Sequence, residues 1–341
     1  MRRSRAIYGC GGSVLSPDEQ AFFRDCRPWG FILFARNIEN PDQVRNLVRA
    51  LRNTVEDNTA PVLIDQEGGR VARLKPPHWH ERPAAARFGA LHAVNPEAAR
   101  EAVYLNARMI AHDLTEVGIN VDCLPVLDIP VKGAHDVIGD RAFARDPGTV
   151  VDLARAQIEG LMEGGVLPVM KHIPGHGRAG SDSHHELPRV KTPREELSAS
   201  DFVPFRSLDT CPMAMTAHVV YDSIDPQRPA TVSPKVIREV IRGEIGFDGL
   251  LMSDDLSMQA LDGSLGERAK AAQVAGCDVV LHCNGKMDEM KQVAAEAKAL
   301  NGQALKRAFH AMSQLALERA DAAFEPRTAE TRLKQLLAEA P

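Results

Sequence analysis

An eight-stranded parallel barrel ringed by helices, the (β/α)8 TIM-type class of α/β fold, is what this sequence predicts, and three observations predict it. Eight short apolar runs recur along the chain. Longer amphipathic stretches separate them, many opened by one recurring capping device. No low-complexity linker interrupts the alternation, so residues 1–341 read as a single barrel domain.

The apolar runs are residues 6–11, 31–35, 62–65, 120–126, 167–171, 213–218, 250–254 and 278–283. Several are continuously apolar, as expected of parallel strands buried on both faces. Between them, Ser16-Pro17, Asn40-Pro41, Asn95-Pro96, Asp146-Pro147, Thr192-Pro193 and Ser233-Pro234 each set a side-chain oxygen one residue before a proline. That oxygen accepts from an unpaired N–H of the first helical turn, and proline sits where its missing N–H costs nothing. Residues 41–55, 96–117 and 234–245 carry apolar side chains at helical spacing. Residues 302–341 read as two further helices on the outside of the barrel. A doubly wound open sheet shares this alternation, because periodicity does not reveal closure.

Composition narrows the function. Hydrophobic residues make up 44% and charged residues 26%, the balance of a soluble globular protein. A net charge of −5 and a pI near 6.2 offer no basic face for nucleic acid or an anionic membrane. No apolar run approaches the roughly 20 residues that span a bilayer. Arg2, Arg3 and Arg5 resemble the start of a signal peptide, but Gly9, Gly11 and Gly12 break the apolar stretch a signal needs, so neither a signal nor a lipoprotein site at Cys10 is expected. Six cysteines (Cys10, Cys26, Cys123, Cys211, Cys277, Cys283) are scattered without C-x-x-C spacing and read as buried hydrophobes. That usage fits a reducing compartment, the cytoplasm.

In such a barrel the C-terminal strand ends form the active face, and there the unusual polar residues collect. Asp65-Gln66-Glu67-Gly68-Gly69-Arg70 and Arg73 come after the third run, with a glycine turn suited to close approach by a ligand. Asp128 and Gly139-Asp140-Arg141-Ala142-Phe143 come after the fourth. Lys171-His172-Ile173-Pro174-Gly175-His176-Gly177 and Asp182-Ser183-His184-His185 come after the fifth, His218 ends the sixth, and Ser253-Asp254-Asp255-Leu256-Ser257-Met258 closes the seventh. Charges at buried strand ends are costly unless paired or used. A metal site at the histidines is not expected: His172 and His176 have i, i+4 spacing, but Pro174, Gly175 and Gly177 deny them a regular helix. His176, between glycines, is expected to brace the loop.

Residues 64–74, 171–188 and 253–258 resemble the signature stretches of glycoside hydrolase family 3, in its single-domain bacterial β-N-acetylglucosaminidase branch. GFILFARN (30–37) and AGCDVVLHCN (275–284) fit as well, so the resemblance spans most of the barrel. It implies a retaining exo-glycosidase that needs no cofactor and releases terminal β-linked N-acetylglucosamine. For bacterial relatives the implied substrates are anhydro-muropeptides of peptidoglycan recycling. Residue by residue, Asp254 matches the catalytic nucleophile, and His184 the acid/base on a mobile loop with Asp182 as its partner. Asp65, Arg73, Arg141, Lys171 and His172 match the sugar-binding shell. Ile173 stands where the family more often has phenylalanine. Larger members carry a second domain that supplies a carboxylate acid/base; here the acid is expected from the barrel's own loops.

The residue chemistry agrees. A retaining glycosidase needs a carboxylate nucleophile below the anomeric carbon and a proton donor beside the leaving oxygen. Histidine, with an ordinary pKa near 6.5, offers both acid and base forms at neutral pH, and Asp182 would orient its ring. Asp255 competes with Asp254, but strand alternation should turn only one of the two toward the pocket. A phosphorylase or transglycosidase, in which another acceptor intercepts the glycosyl-enzyme, shares these residues. A sugar-binding sensor without catalysis would not need both Asp254 and the Asp182/His184 pair.

Overall fold

A computed structural model of the protein describes residues 3–133, 136–181, 183, 187–317 and 324–340. Eight parallel strands close on themselves: β1 (Ser4–Tyr8), β2 (Pro28–Leu33), β3 (Val62–Ile64), β4 (Val121–Asp122), β5 (Leu167–Ile173), β7 (Met213–Thr216), β9 (Leu250–Asp255) and β10 (Val279–His282). They neighbour one another in the order β1-β10-β9-β7-β5-β4-β3-β2, and β1 pairs with both β2 and β10, which completes the barrel. The short strands β6 (Arg189–Val190) and β8 (Val220–Tyr221) pair with each other in a separate two-stranded sheet. Closure excludes the open doubly wound sheet. Each of the eight predicted runs overlaps a barrel strand, with β1 and β2 beginning two and three residues before theirs. The fourth is the least regular, shrinking to two residues: the N–H of Leu124 turns back to Asp122 O, and bonds with β5 resume only at Pro125 O and Leu127 N–H.

Helices fill the intervals: α1 (Pro17–Cys26), α2 (Pro41–Thr54), α3 (Ala85–His92), α4 (Pro96–Thr115), α5 (Pro147–Glu163), α6 (Arg194–Ala199), α7 (Phe202–Ser207), α8 (Leu265–Ala275) and α9 (Met287–Glu296), then α10 (Gly302–Leu317) and α11 (Pro326–Leu337). Ser16, Asn40, Asn95 and Asp146 cap α1, α2, α4 and α5 as their sequences predict, each accepting a first-turn N–H. Thr192 does not cap. The chain turns helical one residue later, with Pro193 in the cap position and no side-chain bond. Ser233 accepts from the N–H of Val236, but the helix it opens, Val236–Glu244, winds with π geometry, as in the bond from the N–H of Ile245 to the carbonyl of Val240.

Inward-facing side chains such as Ile7, Ile32, Leu63, Val169, Met213, Leu250 and Val279 fill the barrel as a packed core. Three alanines of α10 join that core. Ala304, Ala308 and Ala311 pack with Trp29 and Leu300 into the inner cluster, so α10 lies across the N-terminal mouth of the barrel. The approach is anchored where β1 begins: the N–H of Leu300 donates to Arg3 O and that of Arg5 to Lys298 O. α11 packs instead on the outside against α4 and α3. No helix among the described residues is long and apolar enough to cross a membrane.

At the other mouth, two register shifts break strict alternation. On β5 the pairing with β7 slips between Lys171 and Ile173. The second lies between β9 and β10, where Val279 pairs with Met252 but Leu281 with Asp255. Bulges of this kind re-aim side chains, and here both members of Lys171/His172 and of Asp254/Asp255 line the same cavity. Asp254 and Asp255 thus both contribute to the lining, where alternation leads one to expect a single residue.

Candidate active site

The cavity at the C-terminal strand ends has a volume of about 250 Å³. That lies just below the roughly 300–1,000 Å³ of drug-sized sites, a size for one small polar molecule. Asp65, Arg73, Arg141, Lys171, His172 and Asp254 all line it, so the structure brings together six of the eight sequence-predicted site residues. Asp182 and His184 lie outside the described residues.

One wall is an ion network built around Lys171. Its ammonium, 2% exposed, sits 2.9 Å from Asp65 Oδ1 and 2.7 Å from Glu67 Oε1. Arg73 donates to the other oxygen of Asp65 at 3.1 Å. Arg141 grips Glu67 with two bonds, 2.8 and 2.9 Å. Burial by itself would raise the carboxyl of Asp65, but Lys171 and Arg73 outweigh it and hold the group well below the ordinary carboxylate range. Glu67 is held down the same way by Lys171 and Arg141. Burial would likewise discharge Lys171, yet the two acids keep it protonated above its usual value. The outcome is a fixed set of charged donors and acceptors, oriented before any ligand arrives.

Glu67 is the member that sequence reasoning passed over, although its D-x-E spacing from Asp65 was visible. The two glycines after it serve a different purpose from the one the sequence suggests. Gly68 has φ +92°, and a Cβ there would lie 2.3 Å from Pro83 O; at Gly69, φ +54°, it would meet Ala84 Cβ at 2.7 Å. The close approach is made by the chain's own backbone, folded back so that Asp65, Glu67 and Arg73 converge.

A second wall is set by Asp128, fully buried. Its carboxylate meets His172 Nδ1 at 2.6 Å and accepts from the backbone N–H groups of His172 at 3.2 Å and His176 at 2.6 Å. Burial opposes the charge, but the two histidines bring the Asp128 carboxyl to about 2. An ionised Asp128 fixes the tautomer of His172, leaving Nε2 as the ring atom that can address a ligand. His176 does brace the loop: its Nε2 meets Ser183 Oγ at 3.1 Å, and burial beside His172 pushes its pKa down to about 4.

Asp254 and Asp255 share the cavity but not their surroundings. The carboxylate of Asp255 accepts from the N–H and hydroxyl of Ser257, at 3.0 and 2.5 Å, and from the N–H of Cys283 at 3.1 Å. It is tied into the turn that ends the strand. Asp254 accepts the N–H of Asp255 at 2.7 Å through Oδ1. A strand-end carboxylate in a pocket of one-ring size, opposite a preorganised polar wall, suits attack on an electrophilic sugar carbon.

Fold and site together define a barrel enzyme of the glycoside hydrolase class. The chain belongs to glycosyl hydrolase family 3: residues 18–314 match the model of that family's N-terminal domain. A β-hexosaminidase of Alkalilimnicola ehrlichii is 42% identical over 282 residues, 82% of this chain and 80% of that one. The structure of native NagZ from Neisseria gonorrhoeae superposes with a TM-score of 0.86 at 31% identity, covering 100% of this chain and 99% of that one. A family 3 β-N-acetylglucosaminidase from Paenibacillus sp. str. FPU-7 gives a TM-score of 0.88 at 28% identity, covering 98% of this chain and 67% of that one.

Proposed function

We propose that this glycoside hydrolase is a retaining exo-β-N-acetylglucosaminidase that removes one terminal β-linked N-acetylglucosamine per turnover. The observation that carries the reading is Asp254 at a rigid strand end, in a cavity sized for one ring and walled by the Lys171–Asp65–Glu67 network. The names of its relatives supply the sugar: β-hexosaminidases at about 40% identity, and a NagZ that has been crystallised with N-trifluoroacetyl-D-glucosamine.

In this reading an Asp254 oxygen attacks the anomeric carbon. The glycosidic C–O bond breaks as His184 gives its proton to the leaving oxygen, and a glycosyl ester remains. The same histidine, oriented by Asp182, then takes a proton from water as that water attacks the anomeric carbon and the carbon's bond to the Asp254 oxygen breaks, freeing the carboxylate. The two inversions sum to retention. Asp65, Arg73, Arg141, Lys171 and His172 hold the sugar, with Arg141 acting largely through Glu67. The physiological substrates would be anhydro-muropeptides of cell-wall recycling in the cytoplasm, a setting that six free cysteines, five of them buried, support.

The test is turnover of an aryl β-N-acetylglucosaminide against the matching β-glucoside, with the anomer of the first-formed sugar read by NMR. Preference for the N-acetyl sugar and release of the β-anomer are expected. Activity on the plain glucoside alone, or first release of the α-anomer, would sink the reading.

A further inference from the structure

His218 is fully buried just beyond the end of β7, and nothing in the proposed chemistry uses it. Its ring spans two neighbouring elements. Nε2 lies 3.0 Å from the backbone carbonyl oxygen of Asp255, and Nδ1 lies 2.7 Å from Thr231 Oγ1. A carbonyl oxygen only accepts, so Nε2 carries the proton. The Thr231 hydroxyl is in turn 2.8 Å from that of Thr216 and 3.2 Å from Ala217 O. Burial lowers the pKa of His218, against the pull of Asp254 and Asp255. Burial thus favours the neutral ring, with Nδ1 as the acceptor facing the Thr231 hydroxyl, whose single proton is shared between Nδ1 and Ala217 O.

The receiving end of this chain is the bulge of β9. The Asp255 peptide is pinned at both its groups. Its carbonyl accepts from His218 and from the N–H of Met258, and its N–H donates to Asp254 Oδ1. A bulge sets the direction of its side chains through the torsions of these very residues. The buried donor from outside β9 therefore bears on the aim of Asp254.

We propose that His218 is a positioning residue for the glycosylation step, holding the β9 bulge through the Asp255 carbonyl so that the Asp254 carboxylate faces the anomeric carbon. The inference rests on Asp254 being the nucleophile. Sugar binding is served by a different wall, Lys171 with Asp65 and Glu67, so it should be affected little. Loss of the His218 bond should slow bond formation at Asp254 more than it weakens binding.

The experiment uses a 5-fluoro-N-acetylglucosaminyl fluoride, which forms the glycosyl ester quickly and loses it slowly, on the wild type and on His218→Leu, His218→Gln and Thr231→Val. Four quantities are read: the labelled peptide, the labelling rate, the Kd for N-acetylglucosamine, and Tm. His218→Leu should slow labelling and kcat by roughly 10- to 100-fold, the scale on which a misplacement of about 1 Å costs rate. Its Kd should stay within about twofold, the signature of an interaction expressed in the transition state. Gln, whose amide can reach the same carbonyl, should restore most of the rate. Thr231→Val keeps the ring but frees it to turn, and should give a smaller loss of the same kind. If His218→Leu does not fold, Thr231→Val decides alone. Unchanged labelling in Thr231→Val, no rescue by Gln, or a loss that tracks Kd or Tm would overturn the proposal. Wild-type label on a residue other than Asp254 would instead refute the nucleophile assignment on which it rests.

Discussion

Asp254 and Asp255 are neighbours of one chemical type in one cavity, and their partners separate them. The carboxylate of Asp255 is held by three donors from Ser257 and Cys283. Asp255→Asn keeps Oδ1 as acceptor and can turn its new N–H toward the Ser257 hydroxyl. We therefore expect it to retain turnover within about tenfold of wild type, the scale of one weakened hydrogen bond. Asp254→Asn cannot form a glycosyl ester and should be folded and almost inactive. Steady-state rates with an aryl glycoside, beside circular dichroism of both variants, check this, and the reverse order of activities would discard the assignment. Asp122 carries a second expectation. It is fully buried beneath the Lys171 network, accepts the N–H of Gln66 through Oδ1, and has no partner at Oδ2 among the described residues. Burial drives its pKa up to about 7. Between its unfolded value near 4 and about 7 the native state binds the extra proton, so this group's contribution to stability falls as pH rises through that window. Asp122→Asn removes the titration. Its Tm should exceed that of wild type near pH 8, and the advantage should vanish toward pH 4. A pH-independent difference would show that Asp122 does not titrate there.

At the scale of elements, the division of labour matches the two mouths of the barrel. Bulges at the ends of β5 and β9 bring adjacent residues to the lining of one cavity, where regular strands would alternate between opposite faces. The opposite mouth is stoppered by α10 through alanines small enough for the helix backbone to approach the inner core. Ala311 is fully buried there. Ala311→Leu adds three carbons to a closed space and should cost about 1–3 kcal/mol by overpacking. Because the stopper is remote from the catalytic mouth, KM and kcat of the folded fraction should hold. A denaturant midpoint unchanged from wild type would show that α10 does not seal the core as tightly as its contacts indicate.

Across the whole molecule, a rigid barrel holds most of the site's charge in place, while the proposed acid/base, His184, lies outside the described residues. The chemistry proposed uses one carboxylate and one histidine, with polar groups for the sugar already fixed by Lys171, Arg73 and Arg141. No step calls for a Lewis acid. Prolonged dialysis against a chelator should therefore leave kcat/KM unchanged, with metal content tracked by mass spectrometry. A large loss reversed by added zinc would revive a metallohydrolase built on the histidines of residues 172–185.

The order of strands and helices was legible in the sequence because local physics writes it there. Doubly buried strands need continuous apolar runs, and helix starts need an oxygen and tolerate a proline, so Ser16, Asn40, Asn95 and Asp146 could be read as caps directly. The site was legible as strand-end charges, since an acid such as Asp65 or Asp254 at the end of a buried run requires a reason. Tertiary structure alone decided how those charges pair. That Glu67 belongs with Lys171, and that Gly68 and Gly69 admit the chain's own backbone, depends on segments distant in sequence meeting. Asp254 and Asp255 both contribute to the cavity lining at a register shift, which is a property of two strands and leaves no mark on either one. The same holds for α10, whose alanines look alike whether they face the barrel mouth or its flank, because a helix's sequence shows which face is small without showing what it covers.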